Sequence, residues 1–213
     1  MSALPHDVTL VSIAEIWAKR DTFLSALTER ERAIFDAKRI EKKRRDFLAG
    51  RIAGKRAVQR AIGCPFSRIA ILPSDDGARS GQPEVWIDGT LLPDLEISIS
   101  HAGDLAAATT AKTRVGFDLE TVAARDASFE ALALTEAERR SLAGSEGPVR
   151  DRSVTRLWCR KEAIAKWTGV GFRAAFFDLA LPDRASLEEG TFVFRGVEVC
   201  WARLSGGTID GRD

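Results

Sequence analysis

Ala26-Leu27-Thr28-Glu29-Arg30-Glu31-Arg32 returns later in the chain as Ala133-Leu134-Thr135-Glu136-Ala137-Glu138-Arg139. Six of the seven positions are identical at an offset of 107, about half of the 213-residue chain. Each copy puts Thr at a helix N-cap and Glu three residues on. In this capping-box spacing the hydroxyl and the carboxylate satisfy each other's backbone donors. A second pair, Lys55-Arg56-Ala57-Val58 and Lys161-Glu162-Ala163-Ile164, lies at nearly the same offset, and a glycine follows each, Gly63 and Gly169. Capping boxes are common, so a chance likeness is one reading and a chain of two similar halves is the other. On the second reading the halves are residues 1–110 and 111–213, joined near 105–115, and a cleft between them is a natural ligand site.

The periodicities around these repeats give a mixed α+β chain. Val8 to Ile13 reads as a strand, followed by helical stretches from Ala14 to Arg39. Arg44 to Ile62 reads as a long helix with Leu48, Ile52, Val58 and Ile62 inward, ended by Gly63-Cys64-Pro65. Ser74 to Pro83 reads as a loop. Glu96–Ser100, Leu105–Ala111 and Val115–Glu120 read as strands, with His101-Ala102-Gly103-Asp104 turning between the first two. Ser145 to Asp151 reads as an exposed loop, Thr155 to Thr168 as a second long helix, and Thr191–Phe194 and Val197–Trp201 as later strands.

Composition removes several function classes. The chain is 45% hydrophobic and 30% charged, the balance of a soluble globular protein. It has no apolar run near the roughly 18–20 residues that span a bilayer, so no membrane association is expected. Met1 to Trp17 lacks the basic-then-apolar order of a signal peptide, and a cytoplasmic location is expected. With 32 Lys+Arg against 31 Asp+Glu, the chain is not a globally basic nucleic-acid binder. Cys64, Cys159 and Cys200 form no C-x-x-C pair, which argues against a disulfide framework or a zinc knot. Of the two histidines, only His101 has chemically interesting neighbours.

Four stretches carry chemistry. In Val115-Gly116-Phe117-Asp118-Leu119-Glu120, strand alternation puts Gly116, Asp118 and Glu120 on one face, with the two carboxylates roughly 6–7 Å apart at Cα. Such a pair suits a hard divalent ion, and Gly116 leaves room for a ligand; the same pattern also fits a solvated strand face. Trp158, Glu162 and Lys166 fall on one helical stripe, which suits a phosphate site or a surface ion pair. Ile97-Ser98-Ile99-Ser100-His101 ends a strand with hydroxyls and a histidine fit for phosphate, or merely exposed. Lys38 to Arg60 holds ten Lys/Arg against two acids, with Phe47 as its one aromatic. That composition fits a solvated face, a polyanionic small molecule or an acidic protein partner, and it supports single-strand stacking poorly.

Taken together, Phe47-Leu48-Ala49-Gly50-Arg51, Gly81-Gln82-Pro83, Ser98-Ile99-Ser100-His101, Gly116-Phe117-Asp118-Leu119-Glu120 and Trp158 through Lys166 resemble the 4′-phosphopantetheinyl transferases. The resemblance is to their larger, Sfp-type branch, over about residues 45–170. It implies an intramolecular pseudo-dimer of two α/β halves, with the active site at the cleft between them. It also implies an activity: the 4′-phosphopantetheine arm of coenzyme A passes to a serine of an apo acyl or peptidyl carrier protein, and adenosine 3′,5′-bisphosphate is released.

The same resemblance implies Mg²⁺ held by Asp118, Glu120 and Glu162, with Glu162 and Lys166 catalytic. Coenzyme A contacts are implied for Arg51, Arg79, Gln82, Ser100, His101, Asp118, Lys161 and Lys166. The implied partner is an acidic carrier protein docking on the basic stretch, the implied state a monomer, and no nucleic acid is involved. Gln82 departs from the Lys or Arg usual in the family, and Arg79 is the expected substitute. The tail from Arg203 to Asp213 is too polar for the family's apolar closing strand. A non-catalytic coenzyme A or carrier-protein binding module of the same fold is the alternative.

Overall fold

The computed structural model describes residues 3–77, 79–169 and 181–207. The chain divides into a unit of Pro5–Val115 and a unit beginning at Gly116 that also takes in the first residues through Leu4. The boundary lies between Val115 and Gly116.

The first unit contains β1 (Thr9–Ser12), three short helices, α1 (Ile13–Ala18), α2 (Arg20–Leu24) and α3 (Glu29–Asp36), and the 22-residue α4 (Glu41–Ile62). A 3₁₀ turn at Phe66–Arg68 leads to β2 (Ile69–Pro73), β3 (Pro83–Ile87), β4 (Thr90–Ala102) and β5 (Leu105–Ala111). The strands form one antiparallel sheet in the order β1-β5-β4-β3-β2. Helix α4 packs on it through Leu48, Ile52, Ala53 and Val58, all fully buried. Two glycines permit the close approach. A Cβ on Gly54 would lie 2.3 Å from Ile71 Cδ1, and one on Gly50 would lie 2.6 Å from His101 Nε2. Ile62, expected to face inward, is 45% exposed because it sits in the last turn, beyond the sheet-facing residues.

The second unit contains β6 (Val115–Thr121), α5 (Ala127–Ala133), α6 (Glu136–Ser141), the 22-residue α7 (Gly147–Thr168), β7 (Ala185–Phe194) and β8 (Val197–Gly206). Its sheet runs β6-β8-β7. Cys159, Ala163, Ile164 and Trp167 of α7 pack on Cys200, Ala202 and Leu204 of β8. Three expectations are corrected here. Gly147 to Asp151 is helical rather than loop, since Pro148 in the first turn has no N–H to lose and suits a helix start. Strands β7 and β8 are longer than their apolar centres, because hairpin pairing extends from Ala185↔Gly206 to Phe194↔Val197. Arg203 to Gly206, read as unsuited to a closing strand, continues β8 between its two neighbours, with Leu204 fully buried. Residues 208–213 of that tail lie outside the described residues.

The two units share a plan. Each begins with a strand and reaches a 22-residue helix ended by a left-handed glycine, Gly63 at φ 70° and Gly169 at φ 79°. Each then returns through a hairpin whose second strand lies beside the opening one. Both capping boxes form, Thr28 with Glu31 and Thr135 with Glu138. A buried lysine from the long helix locks each box. Lys55 Nζ donates to Ala26 O at 2.6 Å and pairs with Glu31 at 2.8 Å. Lys161 Nζ donates to Ala133 O at 2.9 Å and pairs with Glu138 at 2.6 Å. The echo in the sequence is therefore an echo in side-chain contacts. Among the described residues, only the first unit adds two further strands, β2 and β3, to its sheet, and there Glu31 also accepts from Ile71 N at 3.0 Å.

Candidate active site

Helix α7 and strand β6 meet at Gly116. A Cβ there would lie 2.0 Å from Ala163 O and 2.6 Å from Trp167 N. The space read from the sequence as room for a ligand is filled by helix backbone, so the glycine serves close packing. Asp118 and Glu120 share that face of β6, and the close approach brings the α7 side chains to them. Lys166 Nζ donates to Asp118 Oδ1 at 2.6 Å and to Phe117 O at 3.2 Å. Trp158 Nε1 donates to Glu120 Oε1 at 3.1 Å, and Arg125 Nη2 stands 3.5 Å from Glu120 Oε2.

Charge in this cluster is unbalanced. Asp118 is buried, and Glu162 is 9% exposed. Burial first, then the charge of Asp118, pushes Glu162 up to about 7. The same two causes, in the same order, raise Glu120. Cys159 lies beside Asp118; burial and then that carboxylate hold its thiol well above the usual range, so it stays protonated.

Carboxylates pushed toward neutrality by burial and then by a neighbouring charge, as Glu162 and Glu120 are, are what a site short of positive charge shows. In kind and charge, Asp118, Glu120 and Glu162 fit a hard divalent cation. They are not gathered as ligands: among the described residues no three His, Cys, Asp or Glu side chains are arranged to hold a metal ion. Asp118 Oδ1 is engaged by Lys166, and both oxygens of Glu120 face Trp158 and Arg125.

Lys161, expected to touch coenzyme A, has a side chain 4% exposed and tied to Ala133 O and Glu138, within the buried lock. Two residues escaped the sequence reading, Arg125 and Phe129. The Arg125 guanidinium lies over the Phe129 ring at 4.9 Å, and Trp158 meets the same ring edge-on at 5.1 Å. The only sequence signal was an arginine five positions after Glu120.

The remaining expected residues lie in the first unit. His101 falls on the α4 face of β4 with Ile97 and Ile99, its ring against Gly50 and its Nε2 2.7 Å from Asp46 O. Arg51 follows Gly50 on α4. Its guanidinium covers Phe47 at 4.2 Å, its Nε has no hydrogen-bond partner, and burial pushes it down to about 10 against the pull of Glu31. Arg51 is thus next in sequence to the glycine against which His101 lies, and strand alternation turns Ser100 to the opposite face of β4, where it is buried. Arg79 donates from Nε to Gln82 Oε1 at 3.2 Å and from Nη2 to Glu96 Oε2 at 2.6 Å, so both loop residues are held together.

The basic stretch is less bare of aromatics than its sequence implied. Arg45 lies over Trp17 at 5.3 Å, Arg44 over Phe35 at 5.0 Å and Lys38 over Phe47 at 5.0 Å. Phe35 and Phe47 are core residues capped by these cations. Arg39, Lys42 and Lys43 remain exposed. Among the described residues, no helix is long and apolar enough to cross a membrane.

Residues 114–203 match the family model described as the 4′-phosphopantetheinyl transferase superfamily. The matched span contains Asp118, Glu120, Arg125, Trp158, Glu162 and Lys166, and the match supports 4′-phosphopantetheinyl transferase activity. Among solved structures, a holo-(acyl-carrier-protein) synthase from Bacillus anthracis str. Ames in complex with CoA (3′,5′-ADP) is 25% identical, with a TM-score of 0.41. The overlap covers 48% of this chain and 90% of that one. The ACPS–CoA complex of Chronobacterium ammoniagenes is 27% identical with a TM-score of 0.37, over 48% of this chain and 91% of that one. No curated protein matches the chain.

Proposed function

We propose that this chain is a 4′-phosphopantetheinyl transferase of the Sfp type, its two units the halves of an intramolecular pseudo-dimer that works as a monomer in the cytoplasm. Coenzyme A would donate its phosphopantetheine arm to the serine hydroxyl of an apo carrier protein. The observation that carries this reading is the cluster of Asp118, Glu120, Glu162 and Lys166 on one β6–α7 contact inside the family-matched span.

In the proposed reaction the serine Oγ bonds to the β-phosphorus of coenzyme A. The bond from that phosphorus to the bridging oxygen breaks, and its electron pair leaves with adenosine 3′,5′-bisphosphate. Glu162 would take the serine proton, directly or through a water. Lys166 would stabilise charge on the pyrophosphate and leaving group. Mg²⁺ bound by Asp118, Glu120 and Glu162 would supply charge neutralisation at the pyrophosphate.

Arg51 and His101 would grip the 3′-phosphate, a role suited to a guanidinium whose Nε has no protein partner. Arg79 would provide the cation missing at Gln82, against whose carboxamide it lies. Arg39, Lys42 and Lys43 would contribute to docking an acidic carrier protein.

The test is intact-mass spectrometry of apo acyl and peptidyl carrier proteins incubated with the chain, coenzyme A and Mg²⁺. Gain of one phosphopantetheine mass, abolished by EDTA and by Asp118→Ala, is the expected result. Coenzyme A binding without any mass gain would instead mark a binding module, and absence of both would overturn the reading.

A further inference from the structure

We infer that Trp167 is a positioning residue that fixes the last turn of α7 and thereby sets Lys166 on Asp118. The inference rests on the reading of Lys166 as the group that stabilises charge on the leaving group. Lys166 lies three residues before the glycine that ends α7, in the turn where a helix's last carbonyls lack intrahelical partners. A lysine carries its ammonium on a flexible stem, so the place of Nζ depends on how firmly its backbone is held. Trp167, itself 2% exposed, supplies that hold in three directions. Its N and Cβ would lie 2.6 and 2.8 Å from a Cβ on Gly116 of β6, two residues before Asp118. Its Nε1 donates to Gly206 O, at the end of β8, at 3.0 Å. A Cβ on Gly207 would lie 3.1 Å from its Cζ2, so a glycine there lets the chain pass close to the ring edge.

Strands β6 and β8 are neighbours in the sheet, so one side chain ties the end of α7 to both. Lys166 then meets β6 twice, at Asp118 Oδ1 and at Phe117 O. The first unit supplies the comparison. At the offset that relates Lys55 to Lys161, Lys166 corresponds to Arg60 and Trp167 to Ala61. Ala61 is exposed and has no indole to reach a second strand. Arg60 commits its guanidinium to two backbone carbonyls, His6 O at 2.8 Å and Val8 O at 3.3 Å. The anchored final turn thus belongs to the unit that holds the carboxylate cluster, and the matching place in the other unit lacks it. Burial alone would be met by a phenyl ring, whereas the bond to Gly206 O requires the indole N–H.

Trp167→Phe keeps a buried ring and removes the N–H. Acetylation of the full chain by an N-hydroxysuccinimide ester, read peptide by peptide by mass spectrometry, reports on Lys166 without requiring turnover. The exposed Lys43 and the locked Lys161 are the references. Relative to both, Lys166 should be acetylated about fivefold faster in Trp167→Phe, the factor that one ordinary hydrogen bond is worth. In carrier-protein transfer, kcat should fall by a similar factor with KM for coenzyme A unchanged, because charge on the leaving group develops in the transition state. A merely structural role would raise Lys161 together with Lys166, and that result overturns the inference. An unchanged Lys166 rate in Trp167→Phe overturns it as well. If the wild type transfers to no carrier while Lys166 alone reacts faster in Trp167→Phe, the transferase reading falls and the anchoring of Lys166 stands. Gly207→Ala presses on the same ring edge and leaves α7 intact, so it replaces Trp167→Phe if that variant fails to fold. It should also speed acetylation of Lys166, and a wild-type rate would count against Trp167.

Discussion

Gly116 and Ala163 are in backbone contact: the position a Cβ would take on Gly116 lies 2.0 Å from the Ala163 carbonyl oxygen. No flexible side chain can yield there, since the two nearest obstructing atoms are main chain and the third is the Cβ of Trp167. The contact sets the separation of β6 and α7, and through it the reach of Lys166 to Asp118.

Gly116→Ala should therefore cost stability and geometry together. Overpacking of a tight core costs about 1–3 kcal/mol, and a backbone clash belongs at the upper end. Urea unfolding should show a loss of about 3 kcal/mol. Transfer activity should fall further than the folded fraction explains. A variant with wild-type stability would refute the packing role.

Burial of the two locking lysines predicts unequal costs. Lys55 and Glu31 are both fully buried, so Lys55→Met strands a carboxylate and should cost about 3–5 kcal/mol. The partner of Lys161, Glu138, keeps 25% of its side chain exposed, so Lys161→Met should cost roughly half as much. Calorimetry should find coenzyme A affinity unchanged in Lys161→Met; a large loss would return that lysine to the binding site.

Glu162 gives a pH signature. Its folded value is raised from 4.5 to about 7, so folding favours its protonated form. The stability it contributes is complete below pH 4.5 and is lost as pH rises through 7. Carboxylates held low, such as Glu138 and Glu198, act in the opposite sense but cancel between wild type and a Glu162 variant. Glu162→Gln should thus gain about 2 kcal/mol on the wild type between pH 5 and pH 8 in EDTA. Saturating Mg²⁺ should shrink that gain. A pH-independent difference would contradict the raised value.

Arg51 and His101 are expected to read the 3′-phosphate of coenzyme A. A charge-assisted hydrogen bond is worth about 1.5–3 kcal/mol, so Arg51→Ala should weaken coenzyme A at least about tenfold. Its affinity for 3′-dephospho-coenzyme A should barely change. Equal losses for both ligands would point to damage of the helix rather than a lost phosphate contact.

Much of this architecture was legible in the chain. Thr28/Glu31 and Thr135/Glu138 announced two helix starts by a local rule, and the alternation around Asp118 and Glu120 fixed which side chains share a face. What escaped depended on partners distant in sequence. Nothing near Gly116 tells that Ala163 will fill its space, and nothing near Lys161 tells that Ala133 O and Glu138 will bury its charge. Arg125 gained significance only when Phe129 and Trp158 were seen to meet. Strands β2 and β3 lacked a pattern separable from their loops, and Gly147-Pro148 resembled a turn because the residues that suit a helix's first turn also suit loops.

Immediately after each locking lysine the two units part: Glu162 and Lys166 stand where, 106 positions earlier, Arg56 and Arg60 are found. Lys166 reaches Phe117 O on the opening strand of its unit, and Arg60 reaches Val8 O beside the opening strand of its own. The lock is internal to each unit, while the turn that follows it carries Glu162 and Lys166 beside Asp118 in one unit and Arg56 and Arg60 on α4 in the other.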